Sequence, residues 1–315
     1  MKNALLSLMG IGFLVFAVAA GAHEPPGEIT LAVNFPPGNE PVADGDPSEW
    51  DIIPRGPYAI TSDELFSHFG LEQRERDGAT LARGEMNLSS LDTEYILGWS
   101  DSKDRVYYVM RVFDDVHVTR RQELGRFFFD DAIETFFLFN HISGEEVRAL
   151  NDDGFNSSIE LTFAVPPIED SWQFPFCRAC TDWLYSGGEF FTFGWSYEGD
   201  EFGESTYYYE LDLGAYLGYP AGLGDELTAA DVVSTTLNEG EIIHFTLSLG
   251  DVDGGEGIRT EETGDLRTGG YWSTTSGGDA SWLGQRDLLL SPADETIDFP
   301  TAVESDSWGR IKAQF

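Results

Sequence analysis

The sequence predicts an all-β fold, an antiparallel β-sandwich of the immunoglobulin or jelly-roll type with long loops. Three observations predict it. Short stretches rich in β-branched and aromatic residues recur along the chain, with turns of Gly, Asp and Pro between them. No long stretch combines helical periodicity with helix caps. One central strand is apolar on both faces, as expected inside a sheet that is covered on both sides.

That strand belongs to a predicted hairpin, residues 95–99 and 106–113, joined by the polar turn 100–104. Alternate residues of its second half, beginning at Val106 and at Tyr107, give two mostly apolar faces. Residues 133–139 repeat the pattern with one misfit, Glu134, which shares a face with Phe136 and Leu138. The hairpin is therefore expected at the centre of the fold.

The remaining elements follow in chain order. Alternation at residues 29–35 predicts a half-buried first strand. Residues 50–58 are predicted to be irregular, and residues 61–87 to be a polar insertion in which residues 62–66 begin one short helical turn. Glycine-rich connections are expected at residues 214–224 and 250–278. Further strands are predicted at residues 159–165, 189–197, 206–213, 242–249, 288–290 and 308–315.

An aromatic-rich segment, residues 168–203, contains the two cysteines, Cys177 and Cys180. Thr181 stands where c-type haem attachment requires His, and no second cysteine pair exists for a zinc site. In an exported protein the simplest interpretation is a disulfide that closes a short loop, and redox activity is the alternative.

The N-terminus predicts export. An apolar run at residues 4–20 follows Lys2 and leads to small residues at 20–22, which is typical of a signal peptide cleaved after Ala22; a membrane-spanning helix is the alternative. The rest, residues 23–315, is expected to form one domain, secreted, periplasmic or at the cell surface, with no membrane span after cleavage. The net charge of −38 opposes binding to nucleic acid and indicates either cation binding or a surface suited to salty water.

Four stretches carry a resemblance to family 9 carbohydrate-binding modules: residues 44–50 (D-G-x-x-x-E-W), 99–101 (W-x-D), 112–115 (V-x-D-D) and 131–134 (D-x-I-E). Weaker matches are an x-Y-x-E strand through Glu210 and the stretches 251–254 and 308–311. Their order from about residue 43 to the C-terminus resembles this family within the DOMON-like β-sandwich superfamily. The resemblance implies a non-catalytic protein that binds a glycan or polysaccharide, and it suggests polysaccharide degradation as the setting.

The resemblance also implies a sugar site. Aromatic rings cover the apolar face of a sugar ring, and carboxylates accept hydrogen bonds from its hydroxyls. In the resembled family two aromatic residues clamp the sugar and one Glu accepts hydrogen bonds from its hydroxyls. The matching positions in this chain are Phe128, Trp282 and Glu134. Phe128 replaces the family's usual Trp, and the next strand offers Glu160 and Thr162 in place of basic and amide residues. The alternative is that Phe128 and Trp282 are core residues and that Glu134 is satisfied internally.

Acidic residues at strand ends predict an ion site. The resemblance brings together four carboxylates and implies structural calcium, which takes about six to eight oxygen ligands. These carboxylates belong to Asp114, Asp115, Asp130 and Asp131. The alternative is that these acids cap main-chain amides in turns. The five histidines show no ligand spacing along the chain.

Two other functions remain open. Relatives of this sandwich bind haem b through Met and Lys or His, for which Met110, Met86 and Lys103 are the candidates, although Met110 at strand spacing is more typical of a core. The second is a surface or scaffold protein without a small ligand. No G-x-S-x-G, H-E-x-x-H or P-loop motif occurs, so enzymatic activity is not expected.

Overall fold

A computed structural model describes residues 25, 27–67, 86–118, 131–141, 155–156, 159–163, 190–200, 203–220, 228–251, 270–275 and 285–300. Strands dominate these residues, which confirms the all-β prediction. In chain order they are β1 Ile29–Asn34, β2 Ala59–Thr61, β3 Phe66–Ser67, β4 Leu91–Ser100, β5 Arg105–Asp114, β6 Ala132–Leu138, β7 Phe155–Asn156, β8 Ile159–Phe163, β9 Phe191–Gly199, β10 Ser205–Gly214, β11 Tyr216–Pro220, β12 Val233–Ser234, β13 Ile242–Asp251, β14 Gly270–Ser273 and β15 Arg286–Leu290.

The predicted central hairpin is β4 and β5, paired in register from Leu91 opposite Asp114 to Ser100 opposite Arg105. Asp104, in the connecting turn, has a φ of 52°, in the left-handed region that Asp tolerates. On its other edge β5 pairs with β10, and β10 pairs with β9. The strand that is apolar on both faces therefore lies inside its sheet, as predicted.

The strands form two layers. Sheet I contains β2, β4, β5, β10 and β9. Sheet II is built around β13, which pairs with β6 along one edge and with β15 and then β14 along the other; β8 extends it beyond β6, and β3 beyond β14. All of these pairings are antiparallel.

The first strand joins the two sheets. Ile29 to Ala32 pair with β15 of sheet II, whereas Val33 and Asn34 pair with β4 of sheet I. Both pairings are parallel, which differs from the purely antiparallel prediction. Long stretches of chain separate β1 from both partners, so no hairpin turn imposes the antiparallel direction.

The main core fills the space between the sheets. Aromatic residues of sheet I, among them Tyr95, Trp99 and Tyr108, are fully buried against apolar residues of sheet II such as Phe137 and Phe245. The Tyr108 hydroxyl is within hydrogen-bond distance of the Thr135 hydroxyl, at 3.2 Å, so a polar contact also spans the layers. Burial raises the pKa of Tyr108 well above its usual value and keeps the phenol neutral.

A second apolar cluster covers the outer face of sheet I. Tyr107 and Val109 of β5 pack there with Phe35, Trp50 and other residues before β2. The Phe35 and Trp50 rings meet edge to face, with centroids 5.0 Å apart. This cover includes a 3₁₀ turn, Pro47–Trp50, and one helical turn, Arg55–Tyr58 (α1), which lies within the segment 50–58 that was predicted to be irregular.

The glycine-rich connection predicted at 214–224 instead contains β11, which pairs with β7 and β12 in a small third sheet. Tyr216 is buried in the main core and anchors this strand. The short turn predicted at 62–66 is a 3₁₀ turn, Ser62–Glu64, closed by a capping box between Thr61 and Glu64.

Several predictions fall outside the described residues: the signal peptide at 1–22, the disulfide between Cys177 and Cys180, and the strand at 308–315. Within the described part of the chain, no helix is long and apolar enough to span a membrane.

Candidate functional site

The outer face of sheet II carries polar residues in a row. Along β6, Ile133 and Phe137 point into the core, so Glu134 and Phe136 point outward. Directly opposed residues of paired strands share a face, which places Ser248 beside Glu134 and Thr246 beside Phe136. Ser273 of β14 continues the row beyond Ser248. We call Glu134, Phe136, Thr246, Ser248 and Ser273 the polar face.

Within the polar face Glu134 is partly exposed, whereas the hydroxyl residues beside it are buried. Ser248 Oγ donates to Ser273 Oγ at 2.9 Å. Thr246 Oγ1 is buried and has no hydrogen-bond partner among the described residues. A buried hydroxyl without a partner calls for an explanation, and a bound polar ligand is one.

The sequence predicted three residues for a sugar site, and the structure describes one of them. Glu134 lies on the outward face of its strand and not between the sheets. Phe128 and Trp282 lie outside the described residues. The backbone of Glu134 is also in register with Thr162 of β8, so the site sits inside sheet II between two neighbouring strands.

Two of the four acids predicted at an ion site come together. Asp114, at the end of β5, and Asp131, before β6, are both buried, with His117 between them. His117 Nδ1 lies 3.4 Å from Asp114 Oδ2 and 3.6 Å from Asp131 Oδ2. We call these three residues the buried triad. His117 was not predicted as a ligand, because the histidines show no ligand spacing along the chain.

A third predicted ligand, Asp115, does not join the triad. Asp115 is half-buried and accepts a hydrogen bond from Ser90 Oγ at 3.0 Å. Asp130 lies outside the described residues. Asp114 and Asp131 thus lie together, Asp115 makes a different contact, and the ion site itself stays a prediction.

The buried triad also fixes the main chain. Val116 N–H donates to Asp114 Oδ1 at 2.9 Å, and Val118 N–H donates to Asp131 Oδ2. The His117 ring lies against the Tyr207 ring, with centroids 4.2 Å apart. Calcium prefers an all-oxygen shell, so these described ligands, two carboxylates and one imidazole, supply only part of a calcium site.

The D-G-x-x-x-E-W stretch has a structural role. The buried carboxylate of Glu210 on β10 accepts hydrogen bonds from Gly45 N–H at 2.8 Å and from Trp50 Nε1–H at 3.0 Å. Removal from water raises the pKa of Glu210 to about 7. The two hydrogen bonds oppose this rise, because they stabilise the ionised carboxylate. Glu210 therefore holds the 44–50 loop against the outer face of sheet I.

The residues considered for haem lie in the main core and in the turn between β4 and β5. Met110 and Met86 are buried within the main core. Lys103 is exposed in the turn between β4 and β5.

Comparison with known proteins gives structural similarity alone. No family model matches the chain, and no curated protein matches it. A family 9 carbohydrate-binding module from Caldicellulosiruptor kristjanssonii in complex with cellotriose is 12% identical, with a TM-score of 0.48, over 87% of this chain and 99% of that one. A module of the same family and organism in complex with glucose is 12% identical, with a TM-score of 0.47, over 86% and 100% of the two chains. At this identity and TM-score, neither function nor superfamily is carried over to this chain.

Proposed function

We propose that this protein binds a glycan, without cleaving it, on the polar face of sheet II. The observation that carries the proposal is the partly exposed Glu134 on the same face as the buried hydroxyl of Thr246, which has no hydrogen-bond partner among the described residues. Carboxylates and hydroxyls in a row match the hydroxyl groups along the edge of a sugar ring. Both residues lie on paired strands, which hold them in a fixed geometry.

The placement of acids supports binding over hydrolysis. Glycosidases hold two carboxylates roughly 5 to 9.5 Å apart across the scissile bond. Among acids whose side chains are described on this face, the other is Asp287, which is opposite His244 of β13. His244 and Ser248, the neighbour of Glu134, are four positions apart on that strand, which is roughly 13 Å at the usual rise per residue. That separation exceeds the range for a glycosidase pair.

The setting proposed for this activity is outside the cytoplasm, where polysaccharides are recognised and degraded. It rests on the apolar run at 4–20 and the small residues that follow it. Phe128 and Trp282 remain proposed as the aromatic contacts of the sugar.

The test is calorimetric titration of the chain against a panel of soluble gluco-, xylo-, manno- and galacto-oligosaccharides, with and without chelator. We expect one class to bind, and Glu134→Gln to weaken it about 10- to 100-fold, because a hydrogen bond to a charged group is lost. Thr246→Val, which removes only the hydroxyl, should weaken binding less. The matched control is Glu198→Gln, an exposed acid on β9 of the other sheet. The absence of heat with every glycan would refute the function, and equal affinity of the Glu134 variant would refute the site.

A further inference from the structure

The far end of the outer face of sheet II carries a second group of side chains, His141, His244 and Asp287. His244 and Asp287 are directly opposed on β13 and β15. Leu138, the last residue of β6, is opposite His244, so the turn that follows β6 brings His141 to the same place. Three separate elements thus place two imidazoles and one carboxylate together, although they are far apart in the chain.

The distances between these groups suit a shared ion. His244 Nε2 lies 3.1 Å from Asp287 Oδ1, and His141 Nε2 lies 3.6 Å from the same oxygen. One ligand atom from each residue lies within 4.8 Å of the others. Ligands in a tetrahedral zinc site, at metal distances of about 2.0–2.2 Å, are roughly 3.3 Å apart. The two measured separations lie on either side of that value.

The burial of the group leaves room for solvent ligands. The His244 side chain is 1% exposed and that of Asp287 13%, whereas that of His141 is 42% exposed. An ion there would have two fixed ligands at its base, one at its rim, and an open side toward water. Imidazole and carboxylate together select zinc, copper or nickel over calcium or magnesium, which prefer oxygen.

The backbone conformation of His141 gives separate support for a ligand site. Its φ of 51° lies in the left-handed region, which is uncommon for residues other than Gly, although His is one of the three residue types that adopt it most readily. That conformation accompanies a close contact between the His141 and His244 rings, with centroids 4.2 Å apart. Unusual backbone at a group of this kind is a recurring property of ligand sites.

We propose that His141, His244 and Asp287 bind a divalent transition-metal ion, with zinc as the probe, at a site separate from both the polar face and the buried triad. The proposal is independent of glycan binding. Imidazole and carboxylate bind a metal ion in their deprotonated forms, so zinc binding should weaken as the pH falls.

The test uses the chain freed of metal with chelator, then dialysed and titrated with zinc chloride in the presence of salt, which screens the acidic surface. We expect one site that His141→Asn weakens more than tenfold, because Asn tolerates the left-handed backbone but removes the imidazole. Cobalt bound at the same site should show the visible absorption of a tetrahedral centre, and His141→Asn should abolish it. Since His141 is exposed, this variant should fold; circular dichroism and the metal-free Tm verify that it does.

Two controls make the outcome decisive. His117→Asn alters the buried triad and should leave zinc binding at the proposed site unchanged. Asp231→Asn removes a half-buried carboxylate elsewhere and should also leave zinc binding at the proposed site unchanged. No zinc binding, binding that is equal in His141→Asn, or binding that is lost only in His117→Asn would each overturn the proposal and leave His141, His244 and Asp287 as a packed contact only.

Discussion

The indole N–H of Trp50 donates to Oε1 of Glu210 at 3.0 Å and joins residues that are 160 positions apart in the chain. This bond, with that from Gly45, ties the loop before β2 to β10 of sheet I. Trp50 is also 1% exposed, within the cluster that covers the outer face of that sheet. One side chain therefore provides both apolar cover and a donor to a buried carboxylate.

Trp50→Phe should lower the free energy of unfolding by about 1–3 kcal/mol, because a buried carboxylate loses one of its donors. Urea denaturation measures the change. A double-mutant cycle with Glu210→Gln separates the hydrogen bond from the packing. Additive effects of the two substitutions would contradict a direct coupling.

The raised pKa of Glu210 makes its contribution to stability depend on pH. Its folded pKa of about 7 exceeds the usual value of 4.5, so the folded state holds this proton more tightly than the unfolded state. Its contribution is fully present below pH 4.5 and is lost as the pH rises through 7. Wild type should therefore lose stability relative to Glu210→Gln between pH 5 and pH 8, by at most about 3 kcal/mol. Urea midpoints of both proteins at the two pH values test this, and parallel profiles would contradict it.

Gly45 is predicted to be irreplaceable even by Ala. Its φ is +89°, and an added Cβ would overlap the backbone of Trp195 on β9. Gly45→Ala should cost roughly 1–3 kcal/mol from backbone strain, with the overlap adding to it. Gly56→Ala is the matched control, because nothing lies within 4 Å of a Cβ at that position. Similar Tm values for the two variants would contradict the close approach of the loop to β9.

The buried triad should support stability with or without an ion. Asp131→Asn replaces the charged acceptor of the Val118 N–H by a neutral amide oxygen and puts an NH₂ group in place of the second carboxylate oxygen, so the free energy of unfolding should fall by about 1–3 kcal/mol. Asp115→Asn, at a half-buried position, is the control and should cost less.

We propose, in addition, that calcium uses Asp114 and Asp131 as ligands. If so, calcium should raise the Tm of wild type, chelator should reverse the rise, and Asp131→Asn should remove it. A rise of equal size in Asp131→Asn would place calcium elsewhere.

The net charge of −38 predicts that salt stabilises this protein. Self-repulsion among the acids opposes folding. Salt at 0.1 M largely screens the repulsion between charges that are more than about 10 Å apart, and higher salt shortens that distance. The Tm should rise between low salt and about 1 M sodium chloride. An uncharged osmolyte at matched osmolality controls for general exclusion effects. A Tm that is unchanged or lower in salt would show that the acids are spaced too widely to repel.

The sequence predicted the parts of the fold that depend on local patterns. The β4–β5 hairpin follows from alternation on either side of a polar turn, and the double-sided burial of β5 from its two apolar faces. The parallel pairing of β1 was not predictable, because strand direction across long connections leaves no local pattern.

In the candidate sites, too, the features set by local sequence patterns were predictable, whereas contacts between distant residues were not. Glu134 stood out as a single acid among apolar neighbours on a strand, and its outward direction follows from the period of two. His117 and His141 follow strand ends, where no periodicity fixes the direction of a side chain. Their partners come from other strands, so their grouping becomes visible only in three dimensions.

The crossing of β1 between the sheets has a consequence for association between molecules. Removal of residues 29–34 would bare the edge of β15 and the edge of β4 at once. Each bared edge is an unpaired row of amides and carbonyls that can recruit a strand from another chain. Proteolytic trimming at the N-terminus is therefore expected to convert a dispersed protein into an aggregating one before the rest of the sandwich has melted.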